Sequence, residues 1–158
     1  MKNTLNKKEI ERYSRQIILK DVGPIGQKKI INSKVLVVGA GGLGCPVIDY
    51  LSRAGVGNIG IIDNDKVNIS NIHRQSLYNS RDVGEFKVNS VKEKIKLINP
   101  QVKIKTFKER ISKKNIEKIF KNYDFIVDGS DNFKTKFLLN KYCLNQKKIL
   151  IVGAISKM

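Results

Sequence analysis

The sequence predicts an α/β fold, a mainly parallel sheet with helices on both faces, preceded by an N-terminal helical segment. Three observations carry this. Short, unbroken apolar runs recur along the chain, stretches of helical period lie between them, and a glycine-rich turn follows the first run. Unbroken apolar runs read as strands buried on both faces. Strands that alternate with helices build right-handed βαβ units around a parallel sheet.

In chain order, Ile10, Tyr13 and Ile17 share one face of a helix within residues 1–33. Val35 to Val38 form the first strand and open a domain expected over residues 34–158. Ile59 to Ile62, Phe125 to Val127 and Ile149 to Val152 read as further buried strands. Val102, Ile104 and Thr106 alternate with Lys103 and Lys105, the pattern of a half-exposed strand. Val88, Val91, Ile95 and Ile98 make an apolar helical stripe, and Lys92, Glu93, Lys94 and Lys96 fall outside it. Ser112 is expected to cap a short helix carrying Ile116, Ile119 and Phe120. A last helix is expected from Phe133 to about Leu144.

With 158 residues, 41% hydrophobic and 28% charged, the chain suits one domain with a real core and is not a disordered composition. No apolar run reaches the ~18 residues of a membrane helix. The polar, lysine-rich start carries no secretory signal. Cys45 and Cys143 stand far apart and form no Cys-x-x-Cys, which argues against a disulfide framework or zinc knuckle and fits a reducing cytoplasm. Thirty-one Lys+Arg against 14 Asp+Glu give a formal charge of +17. Lys, Ile and Asn, all with codons of A and T alone, are abundant together, and the lysines occur as scattered pairs without interleaved aromatics. This reads as a solvated surface rather than a nucleic-acid footprint. A positive surface would still speed encounter with an acidic protein or a phosphate-bearing ligand.

Ligands of such sheets bind beyond the carboxyl ends of the strands, so the chemistry is sought just after Val38, Ile62 and Val127. Gly39-Ala40-Gly41-Gly42-Leu43-Gly44 is a G-x-G-x-x-G turn between a strand and a helix. Its glycines allow a tight turn, bring backbone N–H groups to a phosphate and lead into a positive helix end. Asp63 ends the next strand 19 residues after Gly44, the place of a ribose-binding carboxylate. The fold is therefore Rossmann-like, and on these features alone a dinucleotide-dependent oxidoreductase would be chosen.

Three clusters pull away from that choice. Asp65, Asn71, His73 and Arg74 put a second acid, an amide and an arginine in the loop after the second strand. Lys87 opens a helix where its ammonium can reach the crevice. Asp128-Gly129-Ser130-Asp131-Asn132 follows a strand and offers carboxylate oxygen to Mg²⁺. Cations beside backbone donors and acids suit a triphosphate with a metal. Asp131 is also placed to cap the Phe133 helix, and Asp65 and Asn132 suit turns. His73 lacks a second ligand or base and reads as a bystander. Cys45 and Cys143 read as core packing.

Arg12-Tyr13-Ser14-Arg15-Gln16-Ile17, Gly39 to Cys45, Asp63-Asn64-Asp65, Asn71 to Gln75, Val83-Gly84 with Lys87, Asn99-Pro100 and Asp128 to Asn132 run in the order of one family's signatures. The chain resembles the ThiF/MoeB/HesA family, bacterial relatives of ubiquitin-activating enzymes, from about Arg12 to Ala154. The resemblance implies ATP- and Mg²⁺-dependent adenylation of the C-terminal glycine of a ubiquitin-like sulfur carrier, in thiamine or molybdopterin synthesis. It implies nucleotide-binding roles for Gly39, Gly41, Gly42, Gly44, Asp63, Asp65, Asn71, Arg74, Lys87, Asp131 and Asn132. Asp63 would hold the ribose, Asn71, Arg74 and Lys87 the phosphates, and Asp131 the metal. Arg15, Arg74, Lys87 and Asp131 are the candidate catalytic set, Arg15 by reaching the site of a partner subunit, so a homodimer is implied. A related branch activates a carboxyl group on a tRNA nucleoside and is the close alternative. A non-catalytic nucleotide-binding remnant and the oxidoreductase remain further alternatives. The family's later zinc pairs, crossover loop and much of its carrier-docking surface have no counterpart among these residues, so the chain is expected to be truncated before them.

Overall fold

The computed structural model describes residues 4–155; residues 1–3 and 156–158, the outer ends of the two expected segments, lie outside them. Helices α1 (Lys7–Ile17) and α2 (Gly23–Asn32) precede β1 (Lys34–Val38), α3 (Gly44–Ala54), β2 (Asn58–Ile62), α4 (Lys87–Ile98), β3 (Lys103–Phe107), α5 (Ile116–Phe120), β4 (Phe125–Asp128), α6 (Phe133–Asn145) and β5 (Ile149–Val152). Two short 3₁₀ turns, Ile69–Asn71 and Ser80–Asp82, shape the long β2–α4 connection.

The sheet is wholly parallel, in the order β3-β2-β1-β4-β5. The chain lays β2 and β3 outward on one side of β1, then crosses back to place β4 on the other. Val37 stands level with Ile61 and Val127, so the carboxyl ends of β1, β2 and β4 finish together. That reversal point opens the crevice in which such sheets bind ligands.

Each face of the sheet carries its own core. On one, Val35, Val37, Ile59 and Ile61 pack with Ile48 of α3 and with Val88, Val91 and Ile95 of α4. On the other, Leu36, Val38 and Ile126 pack with Ile116, Ile119 and Phe120 of α5 and Leu139 of α6. Val88, Val91 and Ile95 of the α4 stripe are buried and Ile98 is half-buried, and fully burying each such side chain contributes about 1.5–3 kcal/mol. Cys45 and Cys143 are both buried in these cores.

Helix α1 begins with a capping box in which Asn6 Oδ1 accepts from the Glu9 N–H at 3.0 Å and Glu9 Oε2 from the Asn6 N–H at 2.7 Å. Its buried Tyr13 accepts at the hydroxyl from Asn99 Nδ2 at 2.9 Å. Helix α2 has no sequence counterpart in the apolar pattern. It opens on Gly23-Pro24, contains Gly26, and is held by Gln27, which donates from Nε2 to the Ala54 carbonyl at 3.0 Å and accepts from Gln16 at 2.7 Å. Ser112 does not cap α5. Asn115 occupies the cap position, and its Oδ1 accepts from the Ser112 N–H at 2.8 Å, which folds the preceding turn back on itself. Among the described residues no helix is long and apolar enough to cross a membrane.

Candidate nucleotide-binding site

A crevice of about 930 Å³ lies at the carboxyl ends of β1, β2 and β4. Its floor is the Gly39–Leu43 turn, its sides the loops after β2, β3 and β4. The turn can be this tight for steric reasons. Gly39 has φ +91°, a left-handed value that favours glycine, and a side chain there would meet the Gly129 carbonyl oxygen at 2.9 Å. A methyl on Gly44 would run into the Gly39 carbonyl oxygen. Gly44 is buried behind the turn and is not part of the crevice lining, so any part it has in binding runs through its backbone N–H.

Among the described residues, the backbone N–H groups of Gly41, Gly42, Leu43 and Gly44 have no hydrogen-bond partner. They lie at the amino end of α3, which has no side-chain cap, where free backbone donors suit an anion. Asp63 braces the turn. Its Oδ2 accepts from the Ala40 N–H at 2.8 Å and its Oδ1 from the Asp65 N–H at 2.7 Å. Each carboxylate oxygen retains a second lone pair for hydroxyl donors.

Two cations line the crevice, Arg74 against the turn and Lys87 on the wall. The aliphatic stem of Arg74 lies 3.8 Å from the point a Cβ on Gly42 would occupy, and its guanidinium donates to the Ser70 carbonyl at 2.9 Å. Lys87, at the start of α4, is only 6% exposed, and its ammonium lies 3.1 Å from Asp65 Oδ2. Asp65 is largely solvated, so the pair fixes the ammonium at the crevice wall without burying two charges. Asn71 lines the wall as well; its Oδ1 accepts from the Asn68 N–H at 3.1 Å and shapes the loop.

The β4 loop separates two neighbouring acids. Asp128 is fully buried and occupied: it accepts from the Ser130 N–H at 2.9 Å, the Ser130 hydroxyl at 2.6 Å and Lys136 Nζ at 3.3 Å. Asp131 is exposed on the crevice wall. It does not cap α6. Asn132 does, accepting from the Thr135 N–H at 2.9 Å, so the Asp131 carboxylate is not spent on the helix; its Oδ1 accepts from Asn132 Nδ2 at 3.4 Å. Among the described residues no three His, Cys, Asp or Glu side chains cluster to hold a metal alone. One carboxylate beside a phosphate site fits Mg²⁺, which is bound through one or two carboxylates, water and substrate phosphates.

Arg15 is exposed on α1 and does not line this crevice. His73 is also outside it, 3.4 Å from the Arg74 guanidinium. Cys45 lies behind the turn with its thiol 3.3 Å from the Ala40 carbonyl, and burial pushes its pKa up. Tyr78 donates to the same carbonyl at 2.7 Å, and burial raises its pKa too. Neither is set up as a nucleophile or base.

The ThiF family profile matches residues 13–158. The chain belongs to the ThiF family. It is 45% identical over 149 residues to the sulfur carrier protein adenylyltransferase of Thermus thermophilus, covering 94% of this chain and 55% of that protein. It is 47% identical over 152 residues to the adenylyltransferase and sulfurtransferase MOCS3 of Aedes aegypti, covering 96% of this chain and 35% of that one. Among solved structures, the E. coli tRNA N6-threonylcarbamoyladenosine dehydratase TcdA in complex with ATP superposes with a TM-score of 0.86 at 25% identity, covering 97% of this chain and 63% of that one. The chain thus spans about half or less of the length of these curated relatives.

Within this ThiF-family site the structure adds wall residues to which the sequence expectation gave no role. Glu109 and Arg110 arrive from the β3 loop, Ser130 from the β4 loop, Thr135 and Lys136 from α6, and Gln75 from beneath the glycine turn. Lys136 also donates to the Gly153 carbonyl at 2.7 Å, tying α6 to the end of β5. A cation spaced five residues after Asp131 was the only sequence signal for Lys136, and the chain is full of lysines.

Proposed function

We propose that this chain forms the ATP-binding part of an adenylyltransferase acting on the C-terminal glycine carboxylate of a ubiquitin-like sulfur carrier protein. The observation that carries the reading is the convergence of the unpaired Gly41, Gly42 and Leu43 N–H groups, Asp63, Arg74, Lys87 and Asp131 on one crevice of a ThiF-family fold. In this reading the triphosphate lies on the glycine turn and the amino end of α3, and Asp63 accepts from the ribose hydroxyls. The carrier carboxylate attacks the α-phosphorus in line. A new carboxyl oxygen–phosphorus bond forms as the bond to the bridging oxygen breaks, giving an acyl adenylate and pyrophosphate. Carboxylate and triphosphate repel each other, and Arg74 and Lys87 offset that repulsion most where charge gathers on phosphorus. Asp131 would hold Mg²⁺ against the phosphates, where the ion supplies further charge neutralisation. Arg15, remote from its own crevice, is read as serving the crevice of a second copy, which makes the working unit a homodimer.

ATP–pyrophosphate exchange that depends on a carrier ending in Gly-Gly tests this reading, with the segments present in longer relatives supplied in trans. Background exchange under those conditions rejects it. The +17 charge and the fold shared with the tRNA-modifying TcdA favour a second reading, carboxyl activation on a tRNA nucleoside. Salt-sensitive tRNA binding together with carrier-independent turnover would select it.

A further inference from the structure

Gln75 is 3% exposed and lines the crevice under the glycine turn. Its Oε1 is the buried side-chain polar atom left without a hydrogen-bond partner among the described residues. Its Nε2 faces Gly41, 3.9 Å from the point a Cβ there would occupy. A buried amide lacking a partner costs folding free energy, and an apolar side chain of the same length would pack there without that cost. The backbone of Gln75 is fully used: its N–H donates to the Asn71 carbonyl at 3.0 Å and its carbonyl accepts from the Tyr78 N–H at 3.1 Å. The side chain is therefore not needed to hold the loop.

We propose that Gln75 is a ligand-contacting residue whose carboxamide donates to the bound nucleotide. Nε2, the end of the amide facing Gly41, donates to a phosphate oxygen lying over that residue, while the enclosed Oε1 carries the folding cost of keeping an amide there. Arg74 and Lys87 on the same wall bring charge; the neutral amide adds a donor of fixed direction. The inference rests on the nucleotide reading above and extends it to this residue.

The test compares the wild type with Gln75→Met and Gln75→Glu, by thermal melting without ligand and by ATP titration with Mg²⁺. Gln75→Met is expected to melt at or above the wild type when empty and to bind ATP at least tenfold more weakly. Gln75→Glu, of the same shape, is expected to bind more weakly still, because a carboxylate then faces the phosphates. ATP binding within twofold of wild type in either variant overturns the proposal. So does a clear fall in the melting temperature of empty Gln75→Met, which would show the amide already bonded in the folded chain. If Gln75→Met aggregates, the Gln75→Glu titration decides by the same twofold criterion. A wild type that does not bind ATP rejects the nucleotide reading and this inference with it, whereas wild-type binding with unaffected variants removes Gln75 alone.

Discussion

Gly44→Ala and Gly42→Ala differ by two positions and should fail in opposite ways. A methyl on Gly44 runs into the Gly39 carbonyl oxygen, backbone that has little room to yield because Gly39 is itself pressed against Gly129. Forcing a group into a packed site costs about 1–3 kcal/mol. The helix preference of alanine over glycine returns about 1 kcal/mol at most, and less at the first position of α3. In a chain of this size each kcal/mol shifts the melting temperature by about 2–4 °C. Because the clash is with backbone the cost lies at the upper end, the net after the helix return is about 2–3 kcal/mol, and Gly44→Ala is expected to melt roughly 4–12 °C below the wild type. At Gly42 the nearest atoms are the Arg74 stem at 3.8 Å, ordinary contact, so the empty Gly42→Ala protein should lie within about 0.5 kcal/mol of wild type. Its methyl, however, occupies the surface a phosphate must approach, so ATP should stabilise it far less. Differential scanning fluorimetry with and without Mg-ATP reads both effects. If empty Gly44→Ala melts with the wild type, or Gly42→Ala keeps the full ATP shift, the account of the glycine turn is wrong.

Other outcomes follow from the same structure. Lys87→Met should fold normally, because its partner Asp65 is largely solvated, yet lose at least tenfold in pyrophosphate exchange; a coupled loss of melting temperature would make Lys87 a structural residue instead. Tyr78→Phe removes the 2.7 Å hydrogen bond to the buried Ala40 carbonyl and should cost about 1–2 kcal/mol in urea unfolding, whereas an unchanged midpoint would leave that bond without weight. Burial pushes the Cys143 thiol from the usual 9.0 up to about 11. The unfolded chain then releases this proton first, so the contribution of Cys143 to stability is constant below about pH 9 and falls between about pH 9 and 11. Cys143→Ala should flatten that part of the pH–stability curve relative to wild type, and parallel curves would contradict the raised pKa.

The strands were legible because a parallel sheet buried on both faces needs unbroken apolar runs, and Val35–Val38 and Ile59–Ile62 have them. The glycine turn, Asp63, Arg74, Lys87 and Asp131 were legible because the carboxyl ends of adjacent parallel strands converge, so residues distant in sequence fall in one crevice. Helix α2 was not legible: its stability comes from Gln16, Gln27 and Ala54 meeting in three dimensions, not from a periodic apolar face. Asn132 displaced Asp131 as the α6 cap because a short polar side chain one residue away has the same chemistry and only backbone geometry chooses between them; at α5 the helix starts three residues after Ser112, at an Asn115 whose side chain bonds back to the Ser112 N–H instead of capping. Gln75 was visible as a letter in the Asn71–Gln75 run, but its burial under Gly41 and its unpaired oxygen belong to packing. Arg110 reaches the crevice only because β3 lies beside β2, which no local pattern announces.

In the proposed function the crevice grips an adenosine polyphosphate through the glycine turn, Arg74 and Lys87. Thermal melting in the presence of Mg-ATP and, separately, NAD tests it most directly. At about 100 times its Kd a true ligand stabilises the folded chain by about 2.7 kcal/mol, a rise of roughly 5–11 °C here, and ATP should produce it while NAD does not. A rise with NAD and none with ATP would contradict the account.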